Sequence, residues 1–357
     1  MRIAFMSWRD LANEDAGGSE VFVDRLAVGM MALGHEVTLL CGGPVGKRPY
    51  RVIDLGGTFS QYLRAPFLHH RTVRDWDLLV DTENGIPYFS PLWRRKAILA
   101  FVHHVHTDQW SQRFGPVMQA VGRTAEEFVM PRVYRRIPFV VPSLSTASSL
   151  EKIGVDPKRV SVLSPGVDPP AVSGVERSKV PLFVCAGRLM PHKRIDLLLR
   201  VWEGVRPVVG GKLVVMGEGP ELAGLEKLAG DGVEFVGWVD EEEKWRLLSQ
   251  AWALVHPSHH EGWGIVIVEA AQVGTPSLGF RVPGVQDAIV DGVTGVLVDN
   301  EDEFAGRWIQ LAQDAELREH MADAARQHAT NFGWDRVTQD FEGIATEAVE
   351  WARKGGR

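Results

Sequence analysis

The chain has 357 residues, 45% of them hydrophobic, with 39 Lys and Arg against 46 Asp and Glu for a net charge of −7. That length exceeds what one hydrophobic core usually supports, so two domains are expected, and the composition excludes a disordered chain. No run approaches the ~18 apolar residues of a spanning helix, and Met1 leads straight into a strand-like stretch, so no secretion signal is expected.

Strand-like runs and helical patterns alternate from end to end. In the first half the strands are RIAFMSW (2–8), EVTLLC (36–41), DLLVD (77–81), KAILAFVHH (96–104) and FVVPS (139–143). The second half continues with LFVCAG, KLVVMG, VEFVG, ALVHPS, PSLGF and GVLVD, ending near residue 299. Helical patterns such as 19–34, 195–205 and 241–251 lie between them. This alternation predicts parallel sheets covered by helices on both faces. The Pro/Gly/Ser-rich stretch 163–180 reads as a linker. The expected segments are therefore 1–170, 171–335 and a closing helix in 336–357. Cys41 and Cys185 fall in apolar strand-like runs, one in each half, and read as buried thiols of a reducing compartment. The expected location is the cytoplasm.

Charge is unevenly divided. Residues 1–170 carry 20 Lys and Arg against 17 Asp and Glu, which is +3 and leaves −10 for the remainder. Basic clusters stand at Arg94-Arg95-Lys96 and at Arg132, Arg135 and Arg136. They read either as solvated surface or as contacts for an anionic acceptor or a membrane face.

Two motifs carry most of the chemistry. GRLMPHK (187–193) follows an apolar strand, and EGWGIVIVE (261–269) places a glycine-flanked tryptophan between two glutamates at the start of a short apolar helix. Gly262 and Gly264 let backbone N–H groups approach an anion, and the helix start adds the positive end of its dipole. Arg188 and Lys193 add full charges, with Gly187 opening their loop. Glu269, about one turn into the helix, can accept from two vicinal ribose hydroxyls, and Glu261 is placed to meet a sugar. Together these residues suit a diphosphate with a ribose at one end and a sugar at the other.

Other patterns carry less. MGEGPEL (216–222) has Gly-x-Gly but lacks the third glycine of a dinucleotide fingerprint. Gly17-Gly18 precedes a helical pattern with no Gly-Lys-Ser/Thr after it, so it is no P-loop. Asp75-Trp76-Asp77 spells a metal-binding triplet but directly precedes a buried strand, where such residues commonly cap a turn. His103, His104 and His106 offer two ligands on one strand face with no cysteine nearby, a weak zinc signal. No metal site is expected.

The motifs, taken with AGGSEVFVDRLAVGMMALGHEVTLL (16–40), LSPGVD (163–168) and VPGVQDAIVDGVTGVLV (282–298), resemble those of the retaining glycosyltransferases of family 4 over nearly the whole chain. The resemblance implies an α/β GT-B fold, two Rossmann-like domains whose parallel sheets face a deep interdomain cleft. It implies an N-terminal acceptor domain, a C-terminal donor domain, and a last helix that returns to the first. It also implies a UDP- or GDP-sugar donor and a glycan, glycolipid, lipid-linked or small-molecule acceptor. Transfer would be retaining and metal-independent, with Gly17-Gly18 approaching the donor phosphates or the acceptor. A histidine at the end of KAILAFVHH would contact the donor sugar; His103 fits best, and the doublet leaves His104 open. Peripheral membrane contact through the first domain is compatible with this reading, and no nucleic-acid partner is expected. The rival readings are a sugar-nucleotide epimerase on the same architecture and a catalytically idle sugar-nucleotide-binding protein.

Overall fold

The computed structural model describes residues 1–357 except 15, 58–59, 69–74, 84, 106–114 and 356–357. The chain forms two compact units, Met1–Gly166 with Trp334–Arg357, and Val167–Gly333.

The first unit is built on β1 (Arg2–Arg9), β2 (Glu36–Gly42), β3 (Arg51–Asp54), β4 (Leu78–Glu83), β5 (Ala97–Val102), β6 (Phe139–Val141) and β7 (Val160–Val162). Their order is β3-β2-β1-β4-β5-β6-β7, and every pairing is parallel. Alternate residues of β1 feed opposite faces. Ile3 and Phe5 join Phe22 and Phe341 on one side, while Ala4 and Met6 join Trp76 and Tyr88 on the other. Both faces are covered, which is why these strands read as continuous apolar runs. The 20-residue helix Trp334–Arg353 supplies part of the first face. Its apolar residues Val337, Phe341, Ala345 and Val349 recur at helical spacing, and Phe341 stacks on Phe5 at 5.7 Å.

The second unit carries β8 (Leu182–Ala186), β9 (Lys212–Met216), β10 (Val233–Gly237), β11 (Ala253–His256), β12 (Ser277–Phe280) and β13 (Gly295–Val298). The order β10-β9-β8-β11-β12-β13 repeats that of the first sheet, again all parallel. One face packs Phe183 edge-on against Trp202 and Trp308, whose rings stack on each other at 5.3 Å. The other packs Val184, Met216 and Leu254 against Trp245 and Ile267. In each sheet the chain builds outward from its first strand and then returns to that strand's other side. The loops leaving β1 and β4, or β8 and β11, therefore diverge at the carboxyl ends, where open α/β sheets bind ligands.

The eleven anticipated strands are present, and two more appear. β3 and β7 are the sheet edges; β3 has no fully buried residue and β7 is half-exposed to exposed, so neither shows the apolar signal of a covered strand. Residues 167–180 belong to the second unit, and Arg177 fastens them there by donating to Gly274 O at 2.7 Å and to Thr275 Oγ1 at 2.5 Å. Cys41 and Cys185 are free and buried, and burial pushes each thiol up to about 12. No helix among the described residues is long and apolar enough to cross a membrane.

Candidate active site

Two loops of the second unit leave the carboxyl ends of neighbouring strands β8 and β11. The first, Gly187–Lys193, is held by backbone bonds from Gly187 N to Met216 O (3.1 Å) and from Leu189 N to Glu218 O (2.8 Å). This explains the glycines of MGEGPEL. A Cβ on Gly217, at φ +124°, would stand 2.0 Å from Gly187 O, so the segment lies flush against the loop and has no room for a side chain. Pro191 then starts a short 3₁₀ turn that ends at Lys193. The second loop is tied to the first through His259 N and His192 O at 2.9 Å. It is clamped from its other side by Glu261 N to Pro283 O at 3.1 Å, beside Gly284. A Cβ on Gly284 would stand 2.3 Å from Glu261 O.

This backbone brings Lys193, Glu261 and His256 together. Lys193 Nζ donates to Glu261 Oε1, and His256 Nε2 lies 2.9 Å from the same oxygen. Burial by itself would push the Glu261 carboxyl up, but the Lys193 charge and the His256 hydrogen bond outweigh it and hold the group well below the usual carboxylate range. His256 is 2% exposed, and its Nδ1 is buried without a partner among the described residues. Arg188 is exposed and pairs with no carboxylate among the described residues.

The turn after Glu261 passes through the half-buried Gly262, and its left-handed residue is Gly264 (φ +86°), which precedes helix Ile265–Gln272. No side chain caps that helix start. Trp263 is buried against Phe332, ring centres 5.5 Å apart, so its indole anchors the turn in the core. Glu269 sits inside the helix and accepts from Lys244 Nζ at 2.7 Å. Burial raises the Glu269 carboxyl and Lys244 offsets this only in part. Burial pulls Lys244 down, and Glu269 with Glu241 more than restores it.

In the first unit the expected residues also lie at the carboxyl edge. Gly17 caps helix Gly18–Ala32 in an extended conformation, and its N–H donates to Glu20 Oε2 at 2.9 Å, so Glu20 already meets that helix start. Gly18 is exposed. His103 follows the last residue of β5; its ring stacks on Phe101 at 4.6 Å and meets the edge of Phe22 at 6.1 Å. His104 is half-buried, and His106 lies outside the described residues. His103 N donates to Glu83 O at 3.2 Å. Glu83 is itself buried and pushed well up by burial and then by Glu126 and Asp81. Asp77 accepts from Arg2 N at 2.8 Å, as a capping residue does, beside the buried Trp76.

Comparison with known proteins bears on the whole chain. Residues 16–170 match the family described as Glycosyltransferase Family 4, and residues 172–328 match Glycosyl transferases group 1. A D-inositol 3-phosphate glycosyltransferase of Frankia alni is 30% identical over 91% of this chain and 93% of its own. The chain belongs to glycosyltransferase family 4. Another relative, the D-inositol 3-phosphate glycosyltransferase of Salinispora arenicola, is 33% identical over 56% of this chain, and the match spans about half, 52%, of that relative's length. Among solved structures, HepE of Anabaena in complex with UDP-glucose superposes with a TM-score of 0.77 over 97% of this chain and 100% of that one, at 15% identity. That likeness speaks for the fold, and the two Rossmann-like parallel sheets are those of GT-B.

Three contributors to the site were not anticipated. His256 ends a buried strand at the carboxyl edge, the same signal that singled out His103. Lys244 sits in an acidic helical run, EEEKW, which reads as solvated surface. Gly284 looks like an ordinary turn residue until the fold brings Glu261 onto it.

Proposed function

We propose that this chain is a cytoplasmic glycosyltransferase that moves a hexosyl group from a UDP- or GDP-linked sugar to a hydroxyl of a glycan, glycolipid or small-molecule acceptor. Configuration is retained and no metal ion is needed. The second unit takes the donor and the first takes the acceptor. The observation that carries this reading is the cluster of Lys193, Glu261 and His256 beside the exposed Arg188, at the carboxyl ends of β8 and β11.

The chemistry follows from the charges. As the bond from the sugar's anomeric carbon to the diphosphate oxygen breaks, negative charge grows on the departing phosphate. Arg188, Lys193 and the uncapped start of helix Ile265–Gln272 are the groups suited to meet it. Stabilisation that grows with this charge lowers the barrier, and it does more than hold the donor. The acceptor oxygen bonds to the same carbon on the face the phosphate leaves, and its proton passes to the departing phosphate oxygen. Glu261, held ionised, is suited to accept from a sugar hydroxyl and unsuited to deliver a proton, which an epimerase acid must do. Glu269 is suited to the ribose hydroxyls, with Lys244 steadying its carboxylate. The D-inositol 3-phosphate glycosyltransferases among the relatives favour a phosphorylated cyclitol as one small acceptor to try.

The test is a panel of UDP- and GDP-sugars with candidate acceptors, the product's anomeric linkage being read by NMR. A new glycoside of the donor's own anomeric configuration is expected. Epimerised donor formed with no acceptor present would refute the reading.

A further inference from the structure

Two basic clusters that are far apart in sequence meet at one pocket. Arg94, Arg95 and Lys96 immediately precede β5, and Arg135 and Arg136 shortly precede β6. β5 and β6 pair in parallel, so their amino ends lie side by side. The five cations surround a cavity of about 370 Å³, and no carboxylate lines it among the described residues. His103, by contrast, follows the carboxyl end of β5. The pocket therefore opens at the edge of this sheet opposite the one that carries His103.

Arg94 gives the pocket a built floor. It is only 3% exposed, with Nε donating to Ala97 O at 3.2 Å and Nη2 to Trp76 O at 2.9 Å. Its third nitrogen, Nη1, is buried with no partner among the described residues. Burial pulls the guanidinium down to about 10, partly countered by Asp77, so it stays charged at neutral pH. Asp77 offsets this buried charge only in part, so it favours an anion in the pocket that Arg94 lines. The rest of the wall is apolar: Val133, Ile137 and, at the end of the last helix, the 37% exposed Trp351.

We propose that this pocket binds a phosphate monoester that carries an apolar group. The exposed Arg95, Lys96 and Arg135 take the phosphate oxygens, and Val133, Ile137 and Trp351 take the apolar part. Guanidinium forks match the oxygens of a phosphate two at a time, and a cluster of cations suits a dianion better than a single carboxylate. The volume is within the range of small-ligand sites. The ligand's source is either a lipid headgroup in a bilayer or a soluble phosphate ester.

The probe is dihexanoylphosphatidic acid below its micelle concentration, titrated calorimetrically into the full chain, with dihexanoylphosphatidylcholine as the control. The acid is expected to bind and the choline ester not to. The triple variant R95A/K96A/R135A, changed only at exposed side chains, should bind at least tenfold more weakly while its UDP titration stays unchanged. Binding that is absent, equal for the two lipids, or unchanged in the variant would overturn the proposal. Vesicles containing phosphatidic acid separate the sources. Co-sedimentation that the triple variant loses assigns a bilayer headgroup, and binding of the soluble probe without co-sedimentation assigns a soluble ester.

Discussion

Lys193 donates to Glu261 across 68 residues of sequence, and this bond, with that from His259 N to His192 O, joins the loop after β8 to the loop after β11. The two expected phosphate-contacting cations therefore stand in different situations. Lys193 is committed to a carboxylate inside the protein, whereas Arg188 is exposed with no such partner among the described residues. Arg188→Ala should cost about 2–4 kcal/mol in kcat/KM, the scale for losing one preorganised donor, with Tm unchanged. Lys193→Ala should lose a similar amount of activity and also destabilise the fold by about 1–3 kcal/mol, because the half-buried Glu261 carboxylate loses its charged partner and keeps the His256 contact. Steady-state kinetics paired with thermal melts separate the two. Equal Tm losses in both variants would contradict this placement.

The same cluster sets an acid limit. Folding lowers the Glu261 carboxyl below its ordinary 4.5. Its contribution to stability is thus fully present above that pH and is lost as the pH falls toward the folded-state value. Urea unfolding of wild type and Glu261→Gln should show the larger difference at pH 7 and a shrinking one below 4.5. A difference that grows on acidification would reverse the sign and the assignment.

Gly284 and Gly217 should tolerate no side chain, for a reason beyond their backbone angles. Gly292, at φ +73° close to the +84° of Gly284, has nothing within 4 Å of a Cβ, so Gly292→Ala gives the cost of a positive φ without a steric clash, about 1 kcal/mol. Gly284→Ala adds a 2.3 Å approach to Glu261 O, and Gly217→Ala a 2.0 Å approach to Gly187 O. Both should be clearly less stable than Gly292→Ala, and both should lower turnover by shifting the loops that carry Glu261 and Arg188. Chemical denaturation and kcat on the three variants measure this directly.

Transfer should persist in excess EDTA, because Arg188, Lys193 and the start of helix Ile265–Gln272 are proposed to do a cation's work on the diphosphate. Loss of activity with chelator, restored by Mn²⁺ or Mg²⁺, would sink this part of the mechanism.

What the sequence made legible, and what it did not, divides on a physical line. Strands covered on both faces, such as Ile3–Met6 and Phe183–Cys185, announce themselves because every residue must be apolar. The edge strands β3 and β7 pair on one side only and lack that constraint. GRLMPHK and EGWG stood out because their residue types suit an anion locally. The partners that complete them are fixed by long-range packing. Lys244 reaches Glu269 from another helix, and Gly284 matters only because Glu261 O lies on top of it. The arginine clusters were visible as charge, but only the parallel pairing of β5 with β6 shows that they share one pocket.

The helix Trp334–Arg353 completes the core begun by β1, yet the whole of Val167–Gly333 is threaded between them. During synthesis the second unit is contiguous and can finish folding as it emerges, whereas the first must wait, part of one face of its sheet uncovered, until helix Trp334–Arg353 leaves the ribosome. A nonsense mutation near residue 333 would therefore release a well-folded second half attached to an aggregation-prone first half. Quality control would meet that defect in the first unit, although the lesion lies beyond the second.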